Sequence, residues 1–337
     1  MLVIGIKGKE ISADERAWIA APQTSGVILF TRNFASRDQV TRLIGEIRAL
    51  RPASFLISVD QEGGVVQRFR DGFTRLPPLA RIGEHYARDP RDALALAEEH
   101  AWVMATEMRA IDVDLSFAPV LDLQRGNRVI ADRALHENPE FVSALGLAYL
   151  RGMRLAGMAA TIKHFPGHGT VLEDTHIEHA IDPRGLDELR KADLVPFADA
   201  IKSGAEAVMM AHVTYPAVDA TPAGYSKIWI EDILRGEFGF RGVVFSDDIS
   251  MAAAEDAGGI GARIAAHRQA GCDLVLVCKP EIVAEALETQ RDQAPCAAAC
   301  VQSLCGSVAS TWRDLVDNPQ RDRFIARVTA LNPKAAA

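Results

Sequence analysis

Residues 55–64 read Phe-Leu-Ile-Ser-Val-Asp-Gln-Glu-Gly-Gly. A short apolar run stops abruptly at polar residues and glycine. Nearly continuous apolar character bounded in this way predicts a strand buried on both faces. The same grammar recurs outward in both directions. Runs at Leu2–Ile6, Gly26–Phe30, Val113–Ala118, Ala159–Ile162, Ala207–Met210, Val243–Phe245 and Asp273–Val277 join Phe55–Val59 to give eight predicted strands. Between most of them the apolar residues fall at helical spacing. Arg37–Leu50 gathers Val40, Leu43, Ile44 and Ile47 on one face. Arg91–Ala110 carries Leu94, Leu96, Ala97, Ala101, Val103 and Met104, and Glu140–Ala156 carries Phe141, Val142, Leu145, Leu147 and Leu150.

Strand alternating with helix predicts an α/β fold with a parallel sheet and crossover helices. Eight such units predict closure into a (β/α)8 TIM-type barrel, a single domain. The competitor is an open doubly wound sheet. That fold usually carries a glycine-rich phosphate turn after its first strand, and Lys7-Gly8-Lys9-Glu10 is not one. No long linker or internal repeat interrupts the pattern. We expect the barrel to occupy residues 1–295. Residues 296–337 are expected to form a helical extension packed on it, with one or two helices and a frayed end.

The 337 residues are 48 % hydrophobic and 24 % charged, enough for a large core in a water-soluble chain. The net charge of −8 disfavours a nucleic-acid partner, which needs a basic face. No stretch approaches the length of an uncharged membrane span, and Lys7, Lys9 and Glu10 come too early for a signal peptide. Cytoplasmic localisation and no membrane partner are therefore expected, and the chain is taken as a monomer. Five cysteines, Cys272, Cys278, Cys296, Cys300 and Cys305, lie in the last quarter without paired CxxC spacing. They are expected to be reduced, packed thiols rather than zinc ligands.

In a barrel the active site lies at the carboxyl ends of the strands. Those ends are polar here: Thr31-Arg32-Asn33, Asp60-Gln61-Glu62, Asp122, Lys163-His164, Ala211-His212 and Ser246-Asp247-Asp248. Adjacent carboxylates at a strand end point to opposite faces, so at most one of Asp247 and Asp248 is expected to face the pocket. It could be a nucleophile, a general base or a metal ligand, while the other caps the next helix. Residues 163–176 read KHFPGHGTVLEDTH. Pro166, Gly167 and Gly169 exclude a simple helix. Asp174 and His176, two apart in a loop, can pair so that the carboxylate orients the imidazole, as in general acid/base histidines. His164 and His168 are four apart, as in helical zinc pairs, but the glycines and proline break the helix that spacing needs. No metal and no cofactor are expected. Asp60 could hold sugar hydroxyls, with charge-assisted bonds from Arg68 and Arg133. A plain Asp–Arg structural pair is the alternative.

These residues together resemble the family 3 glycoside hydrolases, in the branch of bacterial cytoplasmic β-N-acetylhexosaminidases. The resemblance rests on ILFTRN at 28–33, SVDQEGG at 58–64, RFRDGFTRLP at 68–77, DLSFAPVLD at 114–122, KHFPGHG at 163–169, DTH at 174–176, AHV at 211–213 and FSDDISM at 245–251. It implies a retaining exo-β-N-acetylglucosaminidase that works through a covalent glycosyl-Asp intermediate. Asp247 is then the nucleophile and His176 the acid/base, partnered by Asp174. Asp60, Arg68, Arg133, Lys163 and His164 become sugar contacts. The implied substrate is a small carbohydrate, terminal β-linked N-acetylglucosamine on muropeptide fragments of peptidoglycan. One departure concerns Arg133. The family pattern places Glu before this Arg in a G-E-R-S run, whereas Ala131-Asp132-Arg133-Ala134 stands here, so the loop that includes Gln124–Val129 is expected to differ in shape. The rival readings are a family 3 β-glycosidase or phosphorylase of other specificity, substrate-assisted hydrolysis, a metal-dependent barrel hydrolase and a non-catalytic sugar-binding barrel.

Overall fold

The computed structural model describes residues 1–51, 54–171, 180–251, 258–293, 298–307 and 311–332. Eight strands carry the architecture: β1 (Leu2–Gly5), β2 (Thr24–Leu29), β3 (Leu56–Val59), β4 (Leu115–Ser116), β5 (Thr161–Phe165), β6 (Ala207–Met210), β7 (Val243–Asp248) and β8 (Leu274–Val277). They form one sheet in the order β4-β3-β2-β1-β8-β7-β6-β5. All neighbouring pairs run parallel. The two ends of that order meet. Val120 bridges Lys163 in parallel, Thr161 N–H donates to the Ala118 carbonyl at 2.9 Å, and Leu121 N–H donates to the Lys163 carbonyl at 2.7 Å. The sheet is therefore closed into the predicted barrel and is not the open doubly wound alternative.

Alternation explains why the strand runs are apolar throughout. Val3, Ile28, Leu56, Leu115, Ala207, Val243 and Leu274 share one buried cluster, with Phe117, Met209, Phe245 and Leu276 above them. Phe117 and Phe245 meet edge to face at 5.2 Å across its middle. The intervening residues, such as Val27, Ile57, Val208, Val244 and Val275, belong to a second cluster shared with the helices. Each strand thus buries both faces, one in the barrel and one under the helical ring.

The helix Arg37–Leu50 has the predicted bounds and buries Val40, Leu43, Ile44 and Ile47. The helices Pro90–Arg109 and Pro139–Leu155 start one residue earlier than expected. In each, proline takes the first helical position behind a capping Asp89 or Asn138 side chain, where its missing N–H costs nothing. Leu94, Phe141 and Leu147 are only partly buried. Phe141 instead packs its ring between Tyr86 and His136.

Among the described residues after 297 there are three helices, Ala298–Gln302, Trp312–Val316 and Pro319–Thr329, rather than one or two. The last lies on Pro90–Arg109. Arg327 pairs with Glu99 at 2.7 Å and Asp92 at 2.8 Å, Arg321 with Glu107 at 2.7 Å, and Phe324 meets Trp102 edge to face. The expected frayed end lies outside the described residues, as does Cys296; Cys272 and Cys278 are buried free thiols. Among the described residues no helix is long and apolar enough to cross a membrane.

Leu43→Ala removes a buried side chain that docks Arg37–Leu50 on the barrel. The expected cost is about 2–5 kcal/mol of unfolding free energy, read by urea denaturation, with the activity of the folded fraction unchanged.

Candidate active site

The period-two alternation that fills the barrel continues past the apolar part of each run. On β3 the inward series Leu56, Ser58 is followed by Asp60. On β5, Thr161 is followed by Lys163. On β7, Val243 and Phe245 are followed by Asp247, and on β8, Leu274 and Leu276 by Cys278. Side chains two apart share a face, so closure gathers Asp60, Lys163, Asp247 and Cys278 above the apolar barrel core. There they line a cavity of about 310 Å³ floored by Ile28, Phe117, Met209 and Leu276. Asp60, Arg68, Arg133, Lys163, His164 and Asp247, all singled out from the sequence, line this one cavity. Its volume lies at the lower end of small-molecule pockets, about 300–1,000 Å³.

A chain of ion pairs runs along one wall. The Lys163 ammonium is 2.9 Å from Asp60 Oδ1 and 2.6 Å from Glu62 Oε1. Arg133 grips Glu62 with two parallel bonds, Nε to Oε2 and Nη2 to Oε1, both 2.8 Å. Arg68 reaches Asp60 Oδ2 at 3.5 Å and lies over the Phe30 ring. Burial by itself would raise Asp60, but the Lys163 ammonium, with Arg68 and Arg133, holds it well below the usual carboxylate range. Burial is likewise outweighed at Glu62, by Arg133 and then Lys163, and its pKa is lowered. Lys163 is raised because Asp60 and Glu62 overcome its desolvation. The wall is therefore ionised at neutral pH, and its spare N–H donors and carboxylate lone pairs suit the hydroxyls of a polar, uncharged ligand.

Asp122, at the end of the run after β4, organises the other wall. Its Oδ2 accepts from His164 Nδ1 at 2.6 Å, and its Oδ1 accepts from the His168 backbone N–H at 2.7 Å. An acceptor on Nδ1 fixes the tautomer and leaves Nε2 of His164 for the cavity. His164 forces down the pKa of Asp122 against the effect of burial. Burial lowers His168 despite the nearby Asp122 carboxylate, so its imidazole is neutral. Asn127 donates to His168 Nδ1 at 3.1 Å and to the Val171 carbonyl, while its Oδ1 accepts from Val129 and Ile130 N–H. The loop flagged by the departure before Arg133 is thereby tied to the 163–171 turn. Gly169 permits this approach, because a Cβ there would lie 1.7 Å from the Leu123 carbonyl oxygen.

Asp247 and Asp248 both border the cavity, against the expectation that only one could. The register of β7 against β8 shifts between Phe245 and Asp248, and such an irregularity re-aims the side chains at a strand end. Their duties still differ. The Asp248 carboxylate accepts from Ser250 N–H at 3.1 Å, from the Ser250 hydroxyl, and from Cys278 N–H at 3.1 Å. It ties the turn to β8, and the segment that follows residue 251, where a helix for it to cap was expected, lies outside the described residues. Asp247 Oδ1 accepts from the Asp248 N–H at 2.8 Å and faces the cavity. Asp174 and His176, the expected acid/base pair, lie outside the described residues.

Two buried carboxylates that hold the cavity walls escaped assignment in the sequence. Glu62 and Asp122 make no separate motif, and only their partners across the barrel reveal them. The available signal was that each stands at a strand end in a run of otherwise buried residues. Arg32 and Asn33, also at a strand end, are structural: Arg32 donates to the Ile6 and Cys278 carbonyls and Asn33 to the Ile6 and Gly8 carbonyls.

An inward carboxylate opposite a wall of buried ion pairs at the mouth of a barrel is the arrangement of a carbohydrate-active barrel enzyme. The chain belongs to glycosyl hydrolase family 3: the family's N-terminal domain matches residues 1–305. It is 61 % identical over 316 residues to a beta-hexosaminidase of Stenotrophomonas maltophilia, covering 94 % of each chain. NagZ from Neisseria gonorrhoeae, in complex with N-trifluoroacetyl-D-glucosamine, superposes with a TM-score of 0.92 at 41 % identity, covering 98 % of each chain. A family 3 beta-N-acetylglucosaminidase from a Paenibacillus species superposes with a TM-score of 0.87 at 34 % identity, covering 98 % of this chain and 67 % of that one.

Glu62→Gln keeps the side-chain shape and removes the charge shared by Arg133 and Lys163. The expected loss is about 3–5 kcal/mol of unfolding free energy at pH 7. Because Glu62 titrates below its ordinary value of 4.5 when folded, the difference from wild type should hold between pH 7 and 5 and shrink as pH falls below about 4.5. Urea midpoints across that range test both the size and the direction.

Proposed function

We propose that the protein is a retaining exo-β-N-acetylglucosaminidase, a beta-hexosaminidase that removes terminal β-linked N-acetylglucosamine from muropeptide fragments in the cytoplasm as a monomer. Membership of family 3 and the names of the similar proteins support the hexosaminidase activity. The observation that carries the mechanism is the placement of Asp247. Its carboxylate faces the cavity at the end of β7, in the same small cavity as Lys163, His164, Asp60, Arg68 and Arg133.

The wall of ion pairs and His164 hold the sugar hydroxyls, leaving the anomeric carbon near Asp247. Asp247 bonds to that carbon as the glycosidic C–O bond breaks, and the departing oxygen takes a proton from His176. In the second step a water gives its proton to neutral His176 and its oxygen to the same carbon, which frees Asp247. Asp174 orients His176 between the two steps. An imidazole with an ordinary pKa near ~6.5 can serve both directions at neutral pH.

Asp247→Asn should lower kcat by at least about 10³-fold on a nitrophenyl β-N-acetylglucosaminide. A 2-fluorosugar should label Asp247 in the wild type, as seen by peptide mass spectrometry. Full activity in the variant would sink the covalent route and favour substrate-assisted hydrolysis. The matching β-glucoside should be a poor substrate. Added phosphate should yield no sugar 1-phosphate, and EDTA should leave the rate unchanged.

A further inference from the structure

Residue 171 ends one stem of the 172–179 segment and residue 180 begins the other. Both stems are held by one buried carboxylate that the mechanism above does not use. Asp193 is 1 % exposed. Its Oδ1 accepts from the Thr170 hydroxyl at 3.2 Å, on the entering stem, and its Oδ2 accepts from Arg184 Nη1 at 2.6 Å, just beyond the leaving stem. Arg184 in turn grips Asp182 through Nε at 2.9 Å and Nη2 at 2.6 Å. Asp182, 3 % exposed, donates its N–H to the Thr214 carbonyl at 2.8 Å. Ala180 and Ile181 pair in parallel with Val213 and Thr214, which follow β6.

The entering stem is packed on the same group. Gly167 has a φ of +135°, and a Cβ there would sit 2.8 Å from the Asp193 Cβ. The next anchor is Tyr215, a fully buried side chain whose hydroxyl donates to the Gly167 carbonyl. Arg125 adds a second cation 3.7 Å from Asp193. Exposed ion pairs contribute little. Two carboxylates this deeply buried cost desolvation that their partners must offset, and breaking such a pair is far more damaging than replacing it whole. The arrangement therefore specifies one geometry for the stems more than it adds stability.

We propose that Asp193, held by Arg184, is a positioning residue for the proton-transfer half of the reaction, because it joins the two stems between which Asp174 and His176 are carried. The proposal rests on the reading of His176 as acid/base. Loss of Asp193 slows the steps in which His176 gives or takes a proton. It leaves untouched the attack of Asp247 on a sugar whose leaving group departs without a proton.

The test compares kcat/KM on phenyl β-N-acetylglucosaminide, whose phenol needs a proton, with the 2,4-dinitrophenyl glycoside, whose phenolate does not. In both His176→Ala and Asp193→Ala the ratio of phenyl to dinitrophenyl should fall at least tenfold. Asp193→Ala added to His176→Ala should change it less than twofold further, since the two act on one step. Thr170→Val, which loses only the entering-stem bond, should lower the ratio severalfold. Equal losses on both substrates in Asp193→Ala, or no loss while His176→Ala splits them, overturn the positioning role. If His176→Ala does not split them, the acid/base reading itself fails and takes the proposal with it. If Asp193→Ala does not fold, as judged by thermal unfolding, Thr170→Val decides, and an unchanged ratio there overturns the proposal.

Discussion

The Lys163 ammonium, held between Asp60 and Glu62, is the interaction on which the site depends. Lys163 is 2 % exposed, and an ammonium so placed is tolerable only with anionic partners. Those partners come from the segment after β3, while Lys163 lies on β5, so β4 stands between them in the sheet. Closing the barrel is what brings them together. Arg133, from the loop after β4, completes the chain by neutralising Glu62. Three strand ends are thereby locked in one arrangement, opposite Asp247 on β7.

Asp122 has the same function on the second wall. One carboxylate orients His164 through its ring and positions the following turn through the His168 N–H. The orientation of the His164 ring and the geometry of the turn are thus set by a single buried anion. Further out, Asp193 repeats the device on the stems of the 172–179 segment. Each carboxylate is buried, faces cations or N–H donors from two different segments, and trades desolvation for a fixed orientation.

The barrel was legible because its signal is redundant. Eight apolar runs with helical stretches between them leave little freedom, and the helix Arg37–Leu50 follows from periodicity alone. Asp60, Lys163, His164 and Asp247 were legible because they extend a run by one or two positions, where parity decides which side chain turns inward. Asp247 follows Phe245 for that reason. Parity failed at Asp248, because the register shift at the end of β7 is set by contacts with β8 and Cys278 that no local pattern encodes. The tail was misjudged in number, since helices as short as Trp312–Val316 carry almost no periodic signal.

By itself the sequence determined the eight-unit α/β barrel, the inward charged residues at its strand ends, and the family to which its motifs point. These are properties of local order, in which residues a fixed number of positions apart share a face. The tertiary structure decided which charges pair. Glu62 became the partner of Arg133 and Lys163, Asp122 of His164, and Asp193 of Arg184 and Thr170. Electrostatic partners are chosen by distance in space after closure, and distance between segments tens of residues apart is not written in the spacing of either one.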